Sequence, residues 1–456
     1  MKRVWVIALF LLVAACGGGG GVGEAVYHFD GPTEMAVDPD PLREDGALLY
    51  VLNAAGGSLS IMNAQTHGIL KSHSPDPYSD EVLWLGKAPL DIDIVPTGEQ
   101  VYVTDTWRDN VRTVGTSDPW PVAEIDLALE AAHVSIAPVS LEPETLRPIV
   151  PAAWNERHEV WFSDPDESRL VVWDHAAGQV VGDVALPSAP ADLLVSRDGE
   201  QVFVIGEDAT LRVVDAAARR LLESEVPLGG RPGRIVESRD GAWVFVLDID
   251  PPQLHLIDTT TWTETDDEIM FPMALNGMAM STDGTLGFIS SDDGYVYYYF
   301  VDYRRACGSQ ADHAYFFDQG PRGNPTIERI ETTDCLTVEE TWTIAYHLDL
   351  LAWEVRGSHS GRQVNLAYTN QAYVSDEGEI QFFIREGDYR ESDGDFFQFQ
   401  TEVGVAPIPV GAVPTGVAVT PDQDDPEFDL VFVANTTGQT ISRIFTGEDA
   451  NLGAVQ

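Results

Sequence analysis

The stretch Pro190-Ala-Asp-Leu-Leu-Val-Ser-Arg-Asp-Gly-Glu-Gln-Val-Phe-Val204 holds a short apolar segment, an Asp-Gly turn and a β-branched and aromatic segment. Five or six apolar residues bounded by Gly, Asp and Pro are too short for a stable helix and the right length for a strand, so it reads as strand, turn, strand. A third segment follows at Leu211-Arg-Val-Val-Asp215, and Gln179 to Leu186, ahead of Pro190, has the character of a fourth. The same phrase begins again at Pro232, 42 residues on, with Val244-Phe-Val246 and Leu256-Ile-Asp258. It begins once more near Leu275, with Ser281-Thr-Asp-Gly284 as its turn and Val296 to Asp302 as its third segment.

Looser copies start at Pro32, with Leu49-Tyr-Val-Leu-Asn53, at Pro89, with Val101-Tyr-Val-Thr-Asp105, and at Pro138, with Val160-Trp-Phe-Ser-Asp164. A seventh starts at Pro414 and contains Val431-Phe-Val-Ala-Asn435. A repeat near 42 residues cannot bury both faces of its own small sheet, whereas sheets stacked radially cover each other and leave only short edges. The expectation is an all-β, seven-bladed β-propeller, with blades one to six in 25–302 and blade seven in 413–456. The seventh phrase has little strand-like sequence after Ile441-Ser-Arg-Ile-Phe445, so Ala25-Val-Tyr-His-Phe29 is expected to close the ring as the outer strand of that blade. The second-strand phrases resemble the YVTN family of propeller repeats, Val101 to Asp105 most closely.

The region 303–412 is too long for a structureless connection. Its segments Thr341 to Tyr346, Gln363 to Tyr368, Ile380 to Ile384 and Phe396 to Gln400 alternate with turn residues, which predicts a β-rich insert, a small sandwich or barrel, part of which completes the sixth blade. Tyr315, Phe316 and Phe317 are read either as a partner-facing patch or as core of this insert.

Lys2 and Arg3 precede an uncharged apolar run from Val4 to Ala15. A run of about a dozen residues has signal-peptide length and does not span a bilayer. It ends in Val13-Ala-Ala-Cys16, which resembles the lipobox of bacterial lipoproteins, although Leu is commoner than Val at its first position. The resemblance implies removal of 1–15, lipidation of Cys16, a Gly-rich tether over 16–24 and a lipid-anchored location at the cell envelope, at the outer membrane or its periplasmic face. With Cys16 so assigned, Cys307 and Cys335 are read as one disulfide or as two buried thiols.

Lys plus Arg number 26 and Asp plus Glu 74, a net charge of −48, which excludes nucleic acid as a partner. The turns after the second strands carry Asp105 and Asp109, Asp164 and Asp166, Glu207 and Asp208, Asp248 and Asp250, and Asp292 and Asp293. They read either as an acidic rim that steers a protein, glycan or cation or as acids that keep the surface hydrated. Two residues after the opening prolines stand Glu34, Asp91 and Asp192, with Arg234 as a counter-charge; these oxygens suit a hard cation such as calcium. Gly357-Ser-His-Ser-Gly361 has His359 where a nucleophile elbow needs Ser, and no zinc-protease or phosphate-loop motif occurs. The expected function is therefore a binding or interaction platform at the cell envelope; YVTN-like repeats also resemble propeller lactonases, which implies metal-assisted hydrolysis at the channel mouth, with Glu34, Asp91 and Asp192 around an ion, as the competing function.

Overall fold

The computed structural model describes residues 6–10, 29–43, 46–72, 82–107, 110–127, 129, 131–142, 145–265, 269–301, 305–306, 308–311, 313–318, 324–333, 337–338, 340–388, 391–404, 407–425 and 428–446. Cys16 and the Gly-rich stretch 16–24, expected to be a lipidation site and tether, Cys307, Cys335 and Asp109 lie outside them. The fold is all-β and propeller-like, built from small antiparallel sheets, with one short helix, Ala152–Arg157, among the described residues. No described helix is long and apolar enough to cross a membrane. The chain divides into two compact units, 1–297 with 408–456, and 298–407.

In the first unit the second strands are Leu48–Asn53, Gln100–Asp105, Glu159–Asp164, Gln201–Gly206, Trp243–Ile249, Leu286–Ser291 and Asp429–Asn435. Side chains alternate across a strand, and here both faces are buried. Leu48, Tyr50 and Leu52 pack with Val101 and Val103 of the next sheet, while Leu49 and Val51 pack with Leu430 and Phe432 of the last. Tyr102 meets Val160 and Phe162, Trp161 meets Val202 and Val204, and Phe203 and Ile205 meet Val244 and Val246. Each buried Val, Leu or Phe contributes roughly 1.5–3 kcal/mol, which is why these strands read as continuous apolar runs.

The turns follow from their residues. In Ser196-Arg-Asp-Gly199 the Ser196 hydroxyl donates to Asp198 (2.6 Å), which also accepts the Glu200 N–H (2.9 Å), while Gly199 takes φ +73°. Ser238 with Asp240 and Ser281 with Asp283 repeat the device.

Inner strands precede the second strands at Pro32–Val37, Pro89–Ile94, Val134–Ile136, Pro190–Val195, Pro232–Glu237, Leu275–Met280 and Pro414–Pro421. Each packs against the inner strand of the sheet before and after it, and Pro414–Pro421 packs against both Leu275–Met280 and Pro32–Val37. The third phrase therefore differs from expectation: its inner strand lies before Pro138, not after it. A hairpin, Ser140–Leu141 with Pro148–Ile149, and the helix separate it from its second strand, so the proline marks the end of the inner strand and not its start.

The outer position beside Thr440–Thr446 is held by Val6–Phe10, running antiparallel from Val6 opposite Thr446 to Phe10 opposite Ser442. Part of the apolar N-terminal run thus stands where Ala25 to Phe29 is expected. Residues 25–28 lie outside the described set, and Phe29 is buried in the core shared by the first and last sheets. An outer edge asks only for an extended segment with free backbone groups, which the leader run supplies.

The second unit contains a six-stranded sheet centred on Glu340–His347 and Phe396–Gly404 and a three-stranded sheet of Thr326–Thr332, Ile380–Arg385 and Ala372–Val374. Trp342, Ile344, Trp353 and Phe397 share its core with Tyr373, Phe382 and Ile384. Phe316 packs on that core 4.9 Å from Phe397, whereas Tyr315 is exposed and Phe317 stacks on Phe396 (4.6 Å). After this unit the chain rejoins the sixth sheet of the first, where the Val410 N–H donates to the Gly294 carbonyl (2.9 Å).

Candidate functional site

The backbone register identifies one equivalent position in each inner strand. Asp91 and Gly277 donate their N–H to Thr104 Oγ1 (3.1 Å) and Ser290 Oγ (3.0 Å), and His133 donates likewise to Ser163 Oγ (2.8 Å). Arg234 stands opposite Leu247 as Asp192 stands opposite Ile205. The series is therefore Glu34, Asp91, His133, Asp192, Arg234, Gly277 and Gly416. A small cavity of about 160 Å³ among the inner strands is lined by Glu34, Asp91, Asp93, Asp192 and Arg234.

The acids of this series join one sheet to the next. The Val134 N–H donates to Asp91 Oδ2 (3.0 Å), the Ile136 N–H to Asp93 Oδ2 (2.7 Å) and the Ile235 N–H to Asp192 Oδ2 (2.9 Å). Across the last junctions glycine replaces the acid. A Cβ on Gly277 would lie 2.3 Å from the Thr415 carbonyl and one on Gly416 2.5 Å from the Thr33 carbonyl, so backbone approaches backbone directly.

The three proposed cation ligands and Arg234 do come together, but around the guanidinium. Arg234 pairs with Glu34, and its Nη1 lies 3.8 Å from Asp192 and 4.0 Å from Asp91. His133, which the sequence reading passed over, places Nδ1 3.4 Å from Asp91 and 3.6 Å from Asp192. Burial alone would pull the His133 value down, but Asp91 and Asp192 raise it to about 9, so the ring is cationic at neutral pH. Burial raises Asp192 to about 7 against the opposing pull of His133, raises Asp93 to about 8, and lowers Arg234 to about 10. Two cations and backbone donors already satisfy the carboxylates, so this donor set does not fit a calcium ion.

The second-strand turns divide into two kinds of acid. Asp105, Asp164 and Asp248 are buried. Asp105 accepts the N–H groups of Lys87 (3.3 Å), Ala88 (3.2 Å) and Trp107 (3.0 Å), and Asp248 accepts those of Arg231 (2.7 Å) and Asp250 (3.0 Å). Asp164 holds Arg169 (2.8 Å). Asn53 and Asn435 do the same for Asp30 and Gly411. A Cβ on Gly230 would fall 1.9 Å from Asp248 Oδ2, so glycine there lets the link reach its cap. These carboxylates are structural caps and leave the proposed rim.

The remaining rim acids Asp166, Glu207, Asp208, Asp250 and Asp292 are exposed, and Asp293 is half-buried. Asp208 is drawn to about 2 by its paired bonds to Arg212. Trp107 is 62% exposed, with the Lys87 ammonium 4.7 Å above its ring, and Leu90, Met273 and Val413, each within two residues of the start of an inner strand, are also exposed.

No family model matches the chain, and no curated protein matches it. Among solved structures, Kuenenia stuttgartiensis hydrazine synthase is similar over 96% of this chain and 100% of that one, at 15% identity and a TM-score of 0.55. A functionally unknown protein from Desulfotomaculum acetoxidans DSM 771 is similar over 59% of this chain and 83% of its own, at 15% identity and a TM-score of 0.46. At such identity the first likeness bears on the fold alone.

Proposed function

We propose that the protein is an exported lipoprotein, anchored through Cys16 at the cell envelope, whose first unit is a seven-bladed β-propeller of YVTN type serving as a binding platform. The unbroken circuit of inner-strand contacts, in which the last inner strand packs against the first, supports the seven-bladed reading. Removal of the leader frees the edge of Thr440–Thr446, and Ala25 to Phe29 is the segment we assign to it. Gln439, at the start of that strand, donates to Asp30 (3.1 Å), so the chain leaves Phe29 beside the edge it would join.

The observation that carries the functional reading is the ring of Glu34, Asp91, His133, Asp192 and Arg234. Its charges are spent on each other and on neighbouring backbone, which favours a mechanical role for the channel wall over metal-assisted hydrolysis. What remains open to a partner is the rim, where exposed acids alternate with Trp107, Leu90 and Met273. That chemistry suits a cationic protein or glycan.

Fatty-acid labelling should mark the wild type and not Cys16→Ala. Crosslinked capture from an envelope extract should recover a partner that is lost when Asp166, Glu207, Asp250 and Asp292 become amides. Chelator-sensitive turnover of a lactone panel, abolished by Asp91→Asn, would overturn the reading.

A further inference from the structure

Arg443 is a half-buried guanidinium in a chain with 74 Asp and Glu, yet its partner is a histidine. Its Nη1 lies 2.6 Å from Nε2 of His67, its Nε is buried without a hydrogen-bond partner, and no ion pair to it occurs among the described residues. Other arginines of the same unit are held by acids: Arg43 by Asp38 (2.7 Å), Arg169 by Asp164 (2.8 Å) and Arg219 by Glu159 (2.8 Å).

The pair joins two sheets from opposite ends of the chain. His67 lies in the turn between Ser58–Asn63 and Ile69–Lys71 of the first sheet, and Arg443 belongs to Thr440–Thr446 of the last. The turn is fixed locally. Asn63 Oδ1 accepts the N–H groups of Gln65 (3.0 Å) and Thr66 (2.6 Å), and the Asn63 carbonyl accepts that of His67 (2.9 Å). His67 takes φ +60°, a left-handed conformation that His, Asn and Asp adopt more readily than most residues. The same turn sends Gln65 Nε2 to the Pro421 carbonyl of the last sheet (3.1 Å), and Met62 and Ile69 share a core with Phe432 and Phe445.

The protonation state follows from the contact. A guanidinium has donors and no acceptor, so Nε2 must offer its lone pair and the ring is neutral. A proton on Nε2 removes that acceptor and sets two cations against each other. Burial and the Arg443 charge accordingly hold the His67 value below its ordinary 6.5. Arg443, from the last sheet, is the charged group that acts on the ring among the described residues, and Asp422, just past Pro414–Pro421, in turn favours the Arg443 cation.

We propose that His67 and Arg443 form an acid-sensitive clasp between the first and last sheets, closed while the imidazole is neutral and opened by its protonation. The clasp stands on the contact itself; its consequence, a ring that loosens in acid at the one junction without chain continuity, rests on the seven-bladed reading. Because the folded value is depressed, the contribution is complete above the unfolded value near 6.5 and is lost as pH falls from there through the folded value.

The test is urea unfolding of the full chain at about pH 7.5 and about pH 5.5, wild type against His67→Gln, with NMR titration of the His67 ring. The Gln amide oxygen accepts from Arg443 at either pH, and any strain of Gln at φ +60° is the same at both, so the difference isolates the proton. One linked proton over the unit below 6.5 makes the wild type lose up to about tenfold more in its folding equilibrium than His67→Gln. Arg443→Met keeps an apolar stem and brings the ring back towards 6.5. Hydrogen exchange at matched intrinsic rates opens the first and last sheets ahead of the others in acid; free exchange there already at the higher pH would sink the closed ring and not the clasp. The proposal is overturned if the wild-type ring titrates at or above 6.5, if Arg443→Met leaves its value unchanged, or if wild type and His67→Gln lose equally.

Discussion

The wall formed by the inner strands of the first unit and the inserted unit both hold carboxylates taken out of water, in opposite ways. In the wall Asp91 and Asp192 each meet an N–H from the next sheet, Glu34 meets Arg234, and the series adds Arg234 and His133 at equivalent positions. Repetition makes this possible, since Val134 and Ile235 stand at equivalent positions and present the same backbone donor to the sheet before them, while Arg234 and His133 each lie near both Asp91 and Asp192. The insert has no repeat to borrow from. There Glu340 is satisfied by a local turn, and the Oε2 of buried Glu379 has no hydrogen-bond partner among the described residues.

Removing one of the wall's two cations should move the first region towards the second. Arg234→Ala leaves Glu34, Asp91 and Asp192 facing one another without a guanidinium. Breaking one side of a buried ionic group costs about 3–5 kcal/mol, so the urea midpoint of the first unit should fall steeply. Arg234→Lys keeps the charge without the planar fork and should lose less. An unchanged midpoint in Arg234→Ala would show that the wall needs its cation no more than the insert does.

Much of this wall was legible in the sequence, because Glu34, Asp91, Asp192 and Arg234 each sit two residues after an opening proline and the phrase spacing aligns them. His133 was not, since its phrase has Ala131-Ala132 in place of that proline and a hairpin and helix displace its second strand. Aligning Val160-Trp-Phe-Ser-Asp164 with Pro138 placed the equivalent position at Ser140 and so hid His133, which holds it. The rim failed for a different reason. Asp105 and Asp166 look alike as turn acids, and only burial separates the one that caps a link from the one that faces water. Glu379 carries no sequence signal, because Asp376-Glu-Gly-Glu379 reads as an ordinary hydrated turn.

The pH response should distinguish the two regions further. Held at about 9, His133 stabilises the first unit fully below its unfolded value near 6.5, and that contribution is lost as pH rises through 9. Asp192, raised to about 7, acts in the same direction over a lower window, its neutral form favouring the folded state below about 4 and its ionisation costing stability up to 7. Between pH 6.5 and 9 one linked proton gives a fall of up to about 1.4 kcal/mol per pH unit. Denaturant melts across that range should show the slope for the wild type, and His133→Gln should flatten it.

The smallest effect separates a carboxylate held without any cation from one that needs no holding. Asp105 accepts three N–H groups from the link before its inner strand and the turn after its own, and each loses a partner in Asp105→Ala. Unsatisfied donors near the surface cost about 1 kcal/mol or less apiece, so a loss of about 2 kcal/mol is expected, with Asp105→Asn recovering most of it because Asn53 and Asn435 fill the same role in other sheets. Asp166→Ala, one sheet on and exposed, should stay within about 0.5 kcal/mol of the wild type. Equal losses at Asp105 and Asp166 would mean that the caps contribute little and that the acids at the strand ends are retained for the rim after all. A large gap between them assigns the repeat's terminal Asx to folding, and leaves recognition to the acids that follow it.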